Sequence, residues 1–225
     1  MSFMRFFRKN KDLGITGSFT RWYDKNTREK RIGEMREYAK EAKKHLTDNA
    51  NVLEAAPGPG YFSIELAKMG NYNITGMDIS EDFIEICKTN AKRENVTINF
   101  LQGNVSEMPF ENNTFDFIFC SAAFKNFKEP VTVLREMHRV LKNNGIALII
   151  DMNHDVSKKM LDEEAVKISK SGFERWFMRM TFRGLCKGAY SIKELENMIN
   201  NTKFNKSDIR ETGISLYIFL YKQEQ

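Results

Sequence analysis

The chain has 225 residues, 41% of them hydrophobic and 29% charged, with a net charge of +5, which suits one soluble domain with a sizeable core. No apolar run approaches the roughly 20 residues that span a bilayer, and 4 Pro with 13 Gly exclude a large low-complexity portion. Cys87, Cys120 and Cys186 are odd in number, widely spaced and lack a C-x-x-C pair, which predicts reduced thiols in a cytoplasmic protein rather than a disulfide framework or zinc site.

The positive charge sits at the front, where residues 1–50 hold 13 Lys and Arg against 7 Asp and Glu. It leaves nucleic acid or an anionic surface open as partners, although a solvated helix face is the plainer account. The opening "MSFMRFFRKNKDLG" carries Arg5, Arg8 and Lys9 among aromatics but has neither a continuous apolar segment nor a small-residue cleavage site. It does not read as a secretory signal.

Residues 1–20 are poorly patterned and read as an arm. From Asp24 to about Leu46 a helix is predicted, because Ile32, Met35, Ala39, Ala42 and Leu46 recur at the spacing of one buried stripe. Val52–Ala56 is a short buried strand, then Gly58 and Gly60 form a turn, and Tyr61–Met69 is a helix. "YNITGMD" is a second strand ending in Asp78. Ser80 caps the next helix, whose first turn carries Glu81 and Asp82 and whose apolar face is Phe83, Ile84, Cys87 and Ala91. "VTINFLQG" and "FDFIFCSA" are nearly apolar throughout, as strands buried on both faces of a parallel sheet are. Pro130 opens a helix with Val133, Leu134, Met137, Val140 and Leu141, and Gly145 is expected to close it. "IALIID" is the fifth strand.

Residues 152–190 break the alternation and are long, basic and aromatic. "SIKELENMI" restarts a helix with a capping box, Ser191 with Glu194. Two last strands, around Asp208–Glu211 and Ser215–Tyr221, are split by Gly213, so the final strand is expected to run antiparallel to its neighbour. The pattern predicts an α/β fold: a doubly wound, Rossmann-like, seven-stranded, mostly parallel sheet with an antiparallel last strand and helices on both faces. Ligands in such folds bind at the carboxyl ends of the strands. The glycine turn, Asp78, Asn104 and Ser121 all fall there.

"GPGYFS" between a strand and a helix, with Asp78 18 residues beyond Gly60, has the geometry of a dinucleotide site, where an acid holds ribose hydroxyls. Ser63 stands in place of that motif's third glycine, however. Glu54 just before the turn would repel a pyrophosphate but could hold an ammonium group. No P-loop lysine follows, which argues against nucleoside triphosphates. A ligand with adenosine at one end, an amino acid at the other and a positive centre between suits Glu54 and Asp78 together, and S-adenosylmethionine has that shape.

On these residues the sequence resembles the class I S-adenosylmethionine-dependent methyltransferases, in the group that methylates small molecules, quinone and sterol methyltransferases among them. "VLEAAPGPG" is similar to motif I and "GMDIS" to the acidic end of the second strand. "GNVSEMPFENNTFDFIFCSAAF" and "LREMHRVLKNNGIALIID" are similar to the runs that follow, so Asn51 to Asp151 is covered well. The resemblance implies an enzyme that uses S-adenosyl-L-methionine and releases S-adenosyl-L-homocysteine. It implies that Glu54, Ala56, Gly58 and Gly60 line the methionine end and that Asp78 takes the ribose hydroxyls. Ile79 is then expected against the adenine face, Asn104 and Val105 at the adenine edge, and Ser121 at the sulfonium side. Ala56 occupies the place of the usual first glycine. Asn104 replaces the usual Asp, and its amide oxygen can still accept from an adenine amino group.

Residues 1–46 are expected to be an arm and helix that cap the cofactor, and 47–225 the methyltransferase domain, with a lid-like insertion at about 152–190. Lys125 and His154 are candidates to serve as base or to orient the acceptor. Tyr23, Phe124, Asn126, Trp176 and Arg183 are candidate acceptor contacts, in a pocket of partly apolar character with an anionic contact. Trp22 is a candidate roof residue beside Tyr23, while His138 reads as structural and His45, near a helix end, as a solvated partner of the helix dipole. The expected partner is a small molecule, with peripheral membrane contact open. Alternatives are a nucleic-acid methyltransferase, although no N-P-P-Y-like element follows the fourth strand, and a cofactor-binding protein without catalysis. A nicotinamide dehydrogenase is the remaining reading. No metal is expected.

Overall fold

The computed structural model describes residues 14, 16–169 and 171–223; the rest of the front segment, Arg5, Arg8 and Lys9 included, lies outside the described residues. Helix α1 (Ser18–Lys43) is followed by β1 (Asn51–Ala55), α2 (Tyr61–Ala67), β2 (Asn73–Asp78), α3 (Glu81–Arg93), β3 (Asn99–Gln102) and β4 (Phe115–Ser121). Next come α4 (Pro130–Val140), β5 (Leu141–Met152), α5 (Lys158–Ile168), α6 (Gly172–Cys186), α7 (Ile192–Asn200), β6 (Lys206–Thr212) and β7 (Ser215–Tyr221).

The seven strands form one sheet in the order β3-β2-β1-β4-β5-β7-β6. β1 pairs in parallel with both β2 and β4, so the order reverses between β1 and β4. β7 runs antiparallel to β5 and to β6, as the short turn at Gly213 (φ +59°) requires. Consecutive residues of β4 point to opposite faces, and both faces are covered. Ile118 and Cys120 join Leu53, Ile149, Leu134 of α4 and Leu195 of α7 on one side. Phe117 and Phe119 join Val52, Leu148, Phe62 of α2 and Met35, Ala39 and Ala42 of α1 on the other. The three cysteines are free and buried.

Several boundaries differ from the sequence reading. Helix α1 begins at Ser18, not Asp24, and ends at Lys43; Gly17 adopts φ +74° ahead of it and donates its N–H to Asp82 Oδ2 at 2.6 Å. α2 stops at Ala67 and β3 covers only Asn99–Gln102. α4 ends at Val140 rather than continuing to Gly145. Leu141 instead starts β5, pairing with Phe115, and the register then slips before Ile146 meets Phe117. The segment 152–190, read as a lid-like insertion that breaks the alternation, holds two helices, α5 and α6. They pack through Leu161, Ala165, Phe182 and Cys186 and are capped by Ser157 and Ser171. The capping box of Ser191 and Glu194 is formed in full.

Gly60 shows what the turn after β1 demands. Its φ is +78°, and a Cβ there would stand 2.9 Å from Cys87 Sγ and 3.2 Å from Phe100 Cζ. Gly60→Ala should therefore cost about 2 kcal/mol, the sum of a left-handed residue and a crowded helix contact. A chemical-denaturation midpoint equal to that of the unaltered protein would refute this.

Candidate functional site

Glu54 stands one residue before the end of β1, paired with Gly76, and Asp78 ends β2, with the turn Ala56–Gly60 between strand and helix. Both acids are buried. Glu54 Oε2 accepts the Ser63 N–H at 3.1 Å and the Ser63 hydroxyl at 2.6 Å. That amide is one of the donors the first turn of α2 leaves without an intrahelical partner. Ser63, read from the sequence as a missing glycine, thus anchors the acid. Oε1 has no hydrogen-bond partner among the described residues. Burial pushes the Glu54 carboxyl up to about 8, against the Ser63 bonds that lower it, and nearby Asp78 adds to the rise. Burial also raises the Asp78 carboxyl, opposed by the backbone N–H groups of Ser80, Gly58 and Ile79. Asp78 Oδ2 accepts from Gly58 N at 3.0 Å and Oδ1 from Ser80 N at 2.9 Å. A carboxylate has about four acceptor sites, so capacity remains on each oxygen.

The backbone of the turn is held open. Gly58 has φ +54°, and a Cβ on it would meet nothing within 4 Å, so free space adjoins its main chain. Ala56 keeps the left-handed conformation, φ +58°, that a glycine at this position would adopt, and its N–H donates to Met77 O at 2.8 Å. Ala122, just past β4, is likewise left-handed at φ +55°. Two such non-glycine residues at the carboxyl ends of β1 and β4 mark both sides of the topological switch.

The remaining candidates are distributed around this centre. An open groove of about 410 Å³ runs past Thr16, Ile79, Glu81, Asp82, Glu85 and Gln102, beside Asp78. Asn104 Oδ1 accepts from Ser106 N at 3.0 Å, which fixes its loop, while Val105 is buried in the core beside Met77. Ser121 ends β4 with its hydroxyl 3.8 Å from Met35 Sδ of α1. Tyr23 packs edge-on against Phe83, ring centroids 6.1 Å apart, whereas Trp22 is exposed and stacks on Phe19. Phe124 is buried against Phe127 and Tyr190, and Asn126 is exposed. Trp176 and Arg183 lie exposed on α6. His154 is exposed too, with Nδ1 3.0 Å from Asp155 Oδ1. His138 packs against Phe204, and His45 lies over Phe117 and Phe219.

Lys125 is held differently. Its side chain is only 9% exposed, and Nζ donates to Asp151 Oδ1 at 2.6 Å and to Ala122 O at 2.9 Å. Its own N–H donates to Asp151 Oδ2 at 3.0 Å. The ammonium ties the loop after β4 to the end of β5 rather than facing an open cleft.

Sequence reasoning missed the group on α1 that faces Glu54. Arg31 lies within electrostatic reach of that carboxyl and pairs with Glu34 at 2.5 Å, and Glu34 accepts the Tyr38 hydroxyl at 2.6 Å. Burial works against the Arg31 cation, yet Tyr23, Glu34 and Tyr38 raise its pKa overall. It also missed the tie of Asp24 to Tyr61 OH at 2.6 Å and Asn90 Nδ2 at 3.1 Å, which fastens α1 to α2 and α3. Half of the 26 residues of α1 are charged and most of them face solvent, so no local signal singled these two out.

A methyltransferase domain matches residues 53–149. The demethylmenaquinone methyltransferase of Lactococcus lactis is 32% identical over 150 residues, 65% of this chain and 56% of that protein. The chain spans about half the length of the first curated relatives it matches. An S-adenosylmethionine-dependent methyltransferase from Aquifex aeolicus superposes with a TM-score of 0.66 at 18% identity, covering 92% of this chain and 99% of that one. The plantazolicin methyltransferase, solved with S-adenosylhomocysteine, gives 0.67 at 16% identity over 90% and 88%. The domain match over β1 to β5, the sheet order and the acidic glycine turn agree with one another, and the chain has the fold of the S-adenosylmethionine-dependent methyltransferases.

Proposed function

We propose that the protein transfers a methyl group from S-adenosylmethionine to a small, partly apolar acceptor, a hydroquinone-like ring being the best match to the relatives' demethylmenaquinone. The observation that carries this reading is the pair of buried carboxyls, Glu54 and Asp78, on either side of a glycine turn that leaves open space at Gly58. An elongated cation with hydroxyls at one end and an ammonium at the other suits that donor set. Bound there, the cofactor supplies a methyl on a sulfonium, which passes to the acceptor as the carbon–sulfur electron pair returns to sulfur.

In this reading Asp78 accepts from the ribose hydroxyls with the lone pairs its backbone donors leave free. Glu54 Oε1 faces the ammonium, Ile79 lies along the adenine, and Asn104 and Val105 border it. Ser121 and Met35 flank the reacting side, and α1, fastened at Asp24, caps the cleft. Alignment of methyl and acceptor at roughly 3–3.5 Å is the main contribution such a site makes. A phenolic acceptor must also lose a proton. With Lys125 engaged by Asp151, His154 is the candidate left to take it, Nδ1–H turned to Asp155 and the Nε2 lone pair outward. Three buried thiols suit a reducing, cytoplasmic compartment, and among the described residues no helix is long and apolar enough to cross a membrane.

Titration calorimetry with S-adenosylhomocysteine tests the site. Micromolar binding is expected, and Asp78→Ala should weaken it by about 10- to 100-fold, the loss of one or two charge-assisted hydrogen bonds. An Asp78→Ala protein that binds as well as the unaltered one would sink the assignment.

A further inference from the structure

Helix α6 carries two apolar faces, and only one has a partner. Phe182 and Cys186 pack on α5. Phe173, Trp176, Phe177 and Met180 follow the i, i+3, i+4, i+7 spacing of a single stripe on the other side, and they are 76%, 55%, 56% and 55% exposed. A buried face is where that spacing ordinarily points, so an outward stripe of three aromatics and a methionine marks a contact surface.

The charge around the stripe selects the partner. Arg183 and Lys187 stand exposed on its flank, while Arg179 and Arg175, half-buried with Nε covered, lie one and two turns earlier on the side that packs on α5. Asp162 alone answers two of them, at 3.1 Å from Arg179 and 3.5 Å from Arg183. Arg175 and Lys187 make no ion pair among the described residues. Glu174, the one acid of the helix, is engaged 3.8 Å from Lys30 of α1, and two turns before Lys30 stands Trp22, also exposed. Aromatic and aliphatic residues on one face with a net positive flank are the composition of a helix lying in the plane of a bilayer interface. A twofold contact with a second copy would set the same cations against themselves, whereas anionic headgroups complement them.

We propose that the outer face of α6 docks the protein on an anionic phospholipid surface, with Phe173, Trp176, Phe177 and Met180 entering the interface and the exposed cations Arg183 and Lys187 on the headgroups. An apolar acceptor would partition into the same bilayer, but the docking stands on α6 alone and is tested without methyl transfer.

The chain has two tryptophans, so Trp22→Phe leaves Trp176 as the reporter. Vesicles of phosphatidylglycerol and phosphatidylcholine should shift its emission to the blue and sediment the protein; pure phosphatidylcholine should do so at least tenfold less well. Raised salt should weaken the anionic binding. Phe173→Ser/Phe177→Ser/Met180→Ser, all at exposed positions, should lower partition at least tenfold with an unchanged unfolding midpoint. Unshifted Trp176 emission, binding indifferent to the triple change, or a concentration-dependent dimer that the triple change abolishes would each overturn the proposal.

Discussion

Lys125→Met is expected to destabilise the protein by about 3–5 kcal/mol, the usual consequence of removing one partner from a buried ion pair. Methionine keeps most of the stem's volume, so the change isolates the ammonium. What is left behind is Asp151, 8% exposed, facing the space where Nζ stood 2.6 Å away. Its remaining donors are the N–H groups of Lys125 at 3.0 Å and Met152 at 2.8 Å, which do not balance a buried charge. For a chain of this length the loss corresponds to a fall in Tm of roughly 10 °C. Lys125→Met/Asp151→Asn removes both charges and should recover part of the stability, because the single amide oxygen still accepts from one of the two backbone donors. Urea midpoints for the single and double variants decide it: equal destabilisation in both would show that the pair contributes no coupling. The same contacts explain why Lys125 is a poor base. A base must present a free lone pair to its substrate, and this nitrogen is turned into the protein at Asp151 and Ala122.

That pairing also marks where the sequence stops being informative. Lys125 and Asp151 lie 26 residues apart on different strand ends, and no spacing rule joins them. Ser191 and Glu194 lie three apart, and their capping box was legible because its geometry is local. The alternation of strand and helix, the antiparallel ending at Gly213 and the acids at Glu54 and Asp78 were legible for the same reason. Leu141 misled because it extends the apolar spacing of Val133, Leu134, Met137 and Val140, yet its burial comes from pairing with Phe115. Which face of α6 packs was obscured because the apolar stripe Phe173 to Met180 is the one that faces outward, while Phe182 and Cys186 meet α5. Ser157 ahead of Leu161 and Ala165 was the cap signal available for α5. The role of Ser63 depended on a turn that folds α2 back over β1, and from sequence it showed only as an absent glycine.

Glu54 supplies the second large effect, a dependence on pH. Its folded pKa of about 8 lies above an ordinary glutamate value of 4.5. The folded state therefore holds the proton more tightly than the unfolded state does. The associated stability is fully present below about pH 4.5, declines as pH rises, and is gone above pH 8. The difference in pKa sets an upper bound on the order of 5 kcal/mol. Glu54→Gln keeps an acceptor for Ser63 and cannot ionise. Relative to that variant, the unaltered protein without ligand should lose stability steadily between pH 5 and pH 9 in urea titrations. Parallel curves would show that Glu54 ionises without cost. Ligand binding runs through the same equilibrium. An ammonium placed at Oε1 favours the carboxylate, so at pH 7, where Glu54 is mostly protonated, S-adenosylhomocysteine should bind with release of close to one proton. Calorimetry in buffers of different ionisation enthalpy reads that proton directly, and Glu54→Gln should abolish it. Affinity should accordingly tighten from pH 6 to pH 8 in the unaltered protein and stay level in the variant. Binding without proton release would place the ligand's cation away from Glu54, even if Asp78 still held its hydroxyls.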